Sequence, residues 1–171
     1  LTDNCNSAYG FSWLDRYGCT DFDQDGWSDY NSQYRFGDVF PDNWKQAFDS
    51  DGDSYGDNHG PDCCDTWYDT DARAGDLFPF NPRQYTDYDN DGYGDNSSDV
   101  LTGDACKFQF GTSYLDRLGC LDSDGDGASD PSAFWNESLG ADIWPNDPTQ
   151  WADSDGDGFG DNSSEDATNP D

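Results

Sequence analysis

Five segments of this chain place aspartate at the first, third, fifth and ninth positions of a nine-residue stretch, D-x-D-x-D-x-x-x-D. They are Asp21, Asp23, Asp25 and Asp29; Asp49, Asp51, Asp53 and Asp57; Asp87, Asp89, Asp91 and Asp95; Asp122, Asp124, Asp126 and Asp130; and Asp153, Asp155, Asp157 and Asp161. A group of carboxylates this dense repels itself and cannot form a compact unit alone. The spacing makes sense around a hard divalent cation. Alternate carboxylates converge on one ion when the chain turns tightly, and the position after the third acid then favours glycine. Gly26, Gly92, Gly127 and Gly158 stand there, while Ser54 departs. The next residue (Trp27, Tyr55, Tyr93, Ala128 or Phe159) should offer its carbonyl.

The ladders are not EF-hands. The bidentate glutamate expected at the twelfth position is replaced by Ser32, Gly60, Ser98, Ala133 and Ser164. Further oxygens must come from elsewhere. The first candidates are Asp38, Asp76 and Asp142, each two residues before an aromatic-proline pair, followed by Asp42, Asn43, Asn81, Asn146 and Asp147. A ladder and an acid of this kind are expected to share ions between adjacent turns.

Composition agrees. The 171 residues carry a formal net charge of -31, from 38 acidic and 7 basic residues, and Glu137 and Glu165 are the only glutamates. Short, rigid aspartate suits ion coordination better than a generic acidic tail would. Apolar residues make up 32%, half of them aromatic. Low hydropathy with high charge implies disorder in the absence of cations, and order once they neutralise the carboxylates. About ten to fifteen divalent ions would bring the chain near neutrality. Nucleic-acid binding is excluded for want of a basic surface, and no apolar run is long enough to span a membrane.

Two units repeat. Residues 5–19, CNSAYGFSWLDRYGC, match residues 106–120, CKFQFGTSYLDRLGC, and each is followed by a ladder. Residues 38–58, 76–96 and 142–162 align without gaps as acid, aliphatic, aromatic, Pro, then Gln, then a ladder ending Gly-Asp-Asn. This organisation implies three modules: 1–58 with a Cys loop and two ladders, 59–100 with Cys63-Cys64 and one ladder, and 101–171 with a Cys loop and two ladders. The fold class expected is mostly irregular, with little regular secondary structure: a tandem, calcium-stabilised, disulfide-stapled repeat array. Short strand pairs or single helical turns fit near 30–40 and 132–140.

The strings NDPTQWADSDGDGFGDN at 146–162 and NPRQYTDYDNDGYGD at 81–95 resemble the thrombospondin type 3 repeat. That resemblance implies irregular backbone wrapped around many Ca²⁺ ions, with disulfide-bonded cysteines. The chain departs from the family pattern in having no cysteine directly after Asn58, Asn96 or Asn162, and in the segment DCCDTWYDTDA at 62–72.

The six cysteines imply an oxidising compartment. Cys5 pairs with Cys19 and Cys106 with Cys120, each closing the same short loop beside a ladder, worth ~3 kcal/mol. Cys63 and Cys64 form either a vicinal disulfide or bonds to a partner chain. A zinc site is disfavoured by the lack of CxxC pairs and by the single histidine, His59. Trp27, Trp44, Tyr85, Trp144 and Trp151 sit at repeat positions beside ladders. They are expected to form miniature cores, with sugar stacking as the alternative. Arg16 and Arg117 are expected to make structural ion pairs or carbonyl contacts rather than to serve catalysis. Sequons occur at Asn96, Asn136 and Asn162.

No catalytic constellation stands out, so the chain is read as a non-enzyme. Its expected role is that of an extracellular or cell-surface calcium-binding structural protein: a rigid rod, a stalk or a filament subunit. Its expected partners are calcium, neighbouring repeats of a longer chain or copies of itself, and glycans. The alternative is a calcium-dependent adhesive or carbohydrate-binding module. The chain is expected to be a mature or excised segment of a longer exported protein.

Overall fold

A computed structural model of the chain describes residues 2–31, 36–59 and 75–170. Among them the only helix is a single 3-10 turn, Glu137–Leu139. Regular pairing is limited to isolated parallel bridges: Asp29 with Asp38, Gly56 with Gly75, Gly94 with Gly103, and Gly160 with Pro170. The mostly irregular fold expected from the sequence is what forms, and two of these features fall near 30–40 and 132–140. The chain divides into two compact units, Leu1–Thr86 and Asp87–Asp171. The division lies inside the second sequence module.

Each ladder folds by bending its aspartates back onto its own backbone. In the fifth, Asp153 Oδ1 accepts the N–H of Gly156 at 2.7 Å and Oδ2 accepts that of Gly158 at 2.8 Å. Asp155 and Asp157 each accept the N–H two residues on, at 3.2 and 2.9 Å. The first carboxylate of every other ladder makes the same pair of bonds. Carboxylates thus take the place of the helical or sheet partners that the backbone N–H groups lack. The turn also requires left-handed backbone at the fourth and sixth positions. Glycine provides it in most ladders, whereas Gln24, Asn90 and Ser54 adopt φ of 65°, 62° and 81°. The departure at Ser54 therefore leaves the turn unchanged and places a side chain in a strained conformation.

The two Cys loops share one scaffold. Disulfides join Cys5 to Cys19 and Cys106 to Cys120. Inside each loop a buried serine, Ser12 or Ser113, accepts the N–H of the second cysteine at 2.9 Å. The same hydroxyl donates to the carbonyl of Arg16 or Arg117. Gly10 and Gly111 are obligatory, since a Cβ there would lie 1.7 and 2.1 Å from backbone of the closing cysteine. The loop then grips the ladder that follows it. The N–H groups of Trp13 and Leu14 meet the Gly26 carbonyl, and those of Tyr114 and Leu115 meet that of Gly127. Asp15 and Asp116 bind both the N–H and the hydroxyl of Ser28 and Ser129. Cys63 and Cys64 lie outside the described residues.

The interior is polar. Among the described residues the buried apolar side chains are Cys19, Cys120, Ala128 and Ala141, whereas the largest fully buried ones include Gln46, Gln84 and Gln150. Gln150 clasps Asn162, donating Nε2 to its carbonyl at 3.0 Å and accepting its N–H at 3.1 Å. Gln46 does the same to Asn58. The repeated Gln and the repeated Gly-Asp-Asn are therefore two halves of one clasp. The aromatics behave differently from expectation. Trp27 packs edge-on against Phe48 and Tyr55 stacks on Tyr85, but Trp27, Tyr55, Tyr85 and Trp144 are only half-buried, and Phe48, Trp44 and Trp151 are exposed. Neither arginine pairs only with acid. Arg16 lies 3.6 Å from Asp15 and also donates to Ser28 and to the Asp29 carbonyl. Arg117 instead reaches the Ala105 carbonyl and lies over the Trp135 ring.

Candidate metal centres

In every ladder the hydrogen bonds that fold the turn also aim its acids inward. One oxygen each from Asp21, Asp23 and Asp25 lies within 4.8 Å of the others, and the same holds for the first three acids of each remaining ladder. Calcium–oxygen distances are about 2.3–2.6 Å, so ligands on opposite sides of one ion stand up to ~5 Å apart. The five triads match that span, and each can hold a metal ion.

The ninth-position aspartates lie outside these triads and close the turn. Asp161 accepts the N–H and hydroxyl of Ser154 at 2.9 and 2.5 Å. Asp57 and Asp130 hold Ser50 and Ser123 in the same way, and Asp29 and Asp95 accept the N–H groups of Phe22 and Tyr88. The hydroxyl and amide bonds from Ser154 keep the Asp161 carboxyl below the usual range.

A further acid is brought to four of the ladders by backbone pairing. The N–H of Asp38 donates to the Ser28 carbonyl, Asp76 to Gly56, Asp104 to Gly94 and Asp142 to Ser129. All four acids are buried. Each uses Oδ1 to accept the N–H two residues on. In Asp38, Asp104 and Asp142 the other oxygen is buried without a hydrogen-bond partner, as is at least one oxygen of Asp23, Asp51, Asp53, Asp89, Asp124 and Asp126. A buried ionised oxygen facing others like it is expensive unless a cation compensates it. Burial is the main cause of the upward shift of these carboxyls, followed among the raising effects by the charges of the adjoining ladder. Asp38, Asp104 and Asp142 are pushed up to about 7 and Asp76 to about 6. A bound divalent ion would reverse these shifts.

Asp38, Asp76 and Asp142 were legible in the sequence. Asp104 was missed because no aromatic-proline pair follows it. The signal that finds it is an acid two residues before the first cysteine of a Cys loop, present as Asp104-Ala105-Cys106 and as Asp3-Asn4-Cys5. Asp3 and Asp104 both accept the N–H of that cysteine. The N–H groups of Asn43 and Asp147 are hydrogen-bonded to the Phe40 and Trp144 carbonyls at 2.8 Å. The Asp147 carboxylate is occupied by Thr149 and Thr168.

No protein-family model matches the chain, and comparison with curated proteins finds no match. Among the described residues no helix is long and apolar enough to cross a membrane.

Proposed function

We propose that this is an extracellular, calcium-binding structural protein of tandem thrombospondin type 3-like repeats. In this reading Ca²⁺ ions, held by the ladders together with Asp38, Asp76, Asp104 and Asp142, fix the backbone. The observation that carries it is the set of buried, unpartnered carboxylate oxygens at four of the five triads and on Asp38, Asp104 and Asp142 beside them. The donors are all hard oxygens, which suit Ca²⁺ or Mg²⁺ better than zinc or copper. Loops that vary at their fourth and sixth positions, and an irregular backbone, favour the tolerant coordination of Ca²⁺ over the strict octahedron of Mg²⁺. Two disulfides suit an exported protein. With its acids engaged by ions, the chain serves as a stalk, a rod or a filament subunit and carries no catalysis of its own.

Calcium titration of the metal-stripped, disulfide-intact chain, followed by an elemental count, tests this. At least one Ca²⁺ per ladder, with little uptake of zinc, is expected. A stoichiometry below the number of ladders would contradict it.

The exposed aromatics favour one second reading, an adhesive or carbohydrate-binding module. Trp44 is 66% and Phe80 85% exposed. Glycan-array binding that is lost in Trp44→Ala, with calcium stoichiometry unchanged, would select it.

A further inference from the structure

The three sequons are alike in sequence and unlike in structure. Asn162 is committed to the fold. Its side-chain Nδ2 donates to the Thr149 carbonyl at 2.8 Å, its N–H and carbonyl are both clasped by Gln150, and Oδ1 accepts the Ser164 N–H. Asn58 makes the same three clasp contacts with Lys45 and Gln46, although Asn58-His59-Gly60 is no sequon. Asparagine therefore recurs at this position because the clasp requires it, and the serines that turn Asn162 into a sequon are incidental. Asn96 occupies the same repeat position and is half-buried. A Cβ on Gly103 would lie 2.2 Å from its carbonyl oxygen, so its backbone is tightly packed too.

Asn136 differs in its exposure and in having no part in a clasp, although its carbonyl accepts the N–H groups of Leu139 and Ala141. It is exposed, as are all residues from 131 to 140 apart from the half-buried Trp135. Its Oδ1 accepts the Ser138 hydroxyl at 2.6 Å, as Asn96 Oδ1 accepts that of Ser98, but the Asn136 side chain makes no bond to a backbone carbonyl like that of Asn162 to Thr149. The segment is also longer than its counterparts after the first and third ladders, though shorter than the 19 residues from Asp57 to Asp76 (76 − 57). From the last acid of a ladder to the acid that pairs back onto it, Asp29 to Asp38 and Asp95 to Asp104 both span 9 residues (38 − 29 and 104 − 95), whereas Asp130 to Asp142 spans 12 (142 − 130). The surplus forms the surface turn that carries Asn136.

We propose that Asn136 is the N-glycosylation site of the folded chain and that Asn96 and Asn162 are not. The donor class is an oligosaccharide linked through diphosphate to a polyprenyl lipid. Asn136 Nδ2 forms a bond to the anomeric carbon as the bond from that carbon to the diphosphate oxygen breaks. The lipid diphosphate leaves with the electron pair, and the amide loses one proton to a base of the transferase. Asn136 belongs to no triad and to no clasp. A glycan on Asn162 would remove the amide proton geometry that the Thr149 bond uses and would open the clasp.

The test incubates unglycosylated, disulfide-intact full chain with a purified oligosaccharyltransferase and its lipid-linked donor, and maps occupancy by peptide mass spectrometry. The same is done with the chain reduced and unfolded. In the folded chain Asn136 should exceed Asn162 by about tenfold or more, the ratio one engaged hydrogen bond supports. Asn136→Gln should abolish most of the modification, and unfolding should bring the three sites to comparable occupancy. Equal labelling of Asn136 and Asn162 in the folded chain would overturn the assignment. So would an Asn136 that reacts only after unfolding.

Discussion

Asp104 shows how one residue serves two ends of the fold. Its Oδ1 caps the turn that starts a Cys loop, and its Oδ2 is buried toward the ladder of Asp87, Asp89 and Asp91. Asp104→Asn keeps the cap and removes the charge. Calcium affinity of that ladder should fall by about tenfold, while sites in the unit Leu1–Thr86 are unchanged. Site-resolved calcium titration by NMR reads this directly, and unaltered affinity at Asp87–Asp91 would remove Asp104 from the site. Gln150 is the second such residue. It is 2% exposed and makes bonds to Asn162 and Thr168. Gln150→Leu leaves those groups unpaired in a tight space. A cost of about 1–3 kcal/mol is expected, seen as a lowered Tm of the calcium-loaded chain. At this scale the sequence was informative wherever side-chain chemistry alone decides, as at the ladder acids. It was silent on the clasp, because nothing in a repeated Gln or a repeated Asn announces that the two bind each other across 12 residues.

At the scale of the element, the unit is a turn closed by carboxylates rather than a helix or a strand. Its geometry was readable because backbone requirements appear as residue types. Glycine after the third acid marks left-handed backbone, and serine at the second position of three ladders marks the hydroxyl that the ninth aspartate holds. Periodicity, the usual guide to elements, had nothing to report, since among the described residues no segment buries one face as a stripe. The Cys loop sets a sharper requirement. Gly111→Ala puts a Cβ 2.1 Å from backbone atoms of Cys120, and the expected loss is about 1–3 kcal/mol or more. Gly125→Ala meets nothing within 4 Å, but keeps φ at 85°, so about 1–2 kcal/mol is expected from the left-handed conformation alone. Thermal melts of the two variants in saturating calcium should rank them in that order. The aromatic miniature cores were the part misjudged: with carboxylates and glutamines filling the interior, little buried space is left for rings.

At the scale of the whole molecule, a net charge of -31 sits on a chain whose interior is largely polar, so stability must depend on what neutralises the carboxylates. Protons are one such agent. Asp38, Asp104 and Asp142 have folded values near 7 and Asp76 near 6, above the ordinary 3.8. A group whose folded pKa is raised binds protons more tightly when folded. Its contribution is full below about 3.8 and is lost as pH rises through 6 to 7. The metal-stripped chain should therefore be more ordered at pH 5 than at pH 8. Calcium binding should show the opposite trend and weaken as pH falls below 7, because protons and ions compete for the same oxygens. Circular dichroism of the stripped chain across that range, beside calcium titrations at the same pH values, checks both signs.

Removal of the ions reports on the central claim most directly. The disulfide-intact chain is measured by small-angle scattering in excess calcium, and again after EGTA at pH 8. The expected result is a marked expansion that reverses when calcium is returned, with the Cys5–Cys19 and Cys106–Cys120 loops remaining as the residual order. An unchanged radius in metal-free protein, verified by elemental count, would contradict the account.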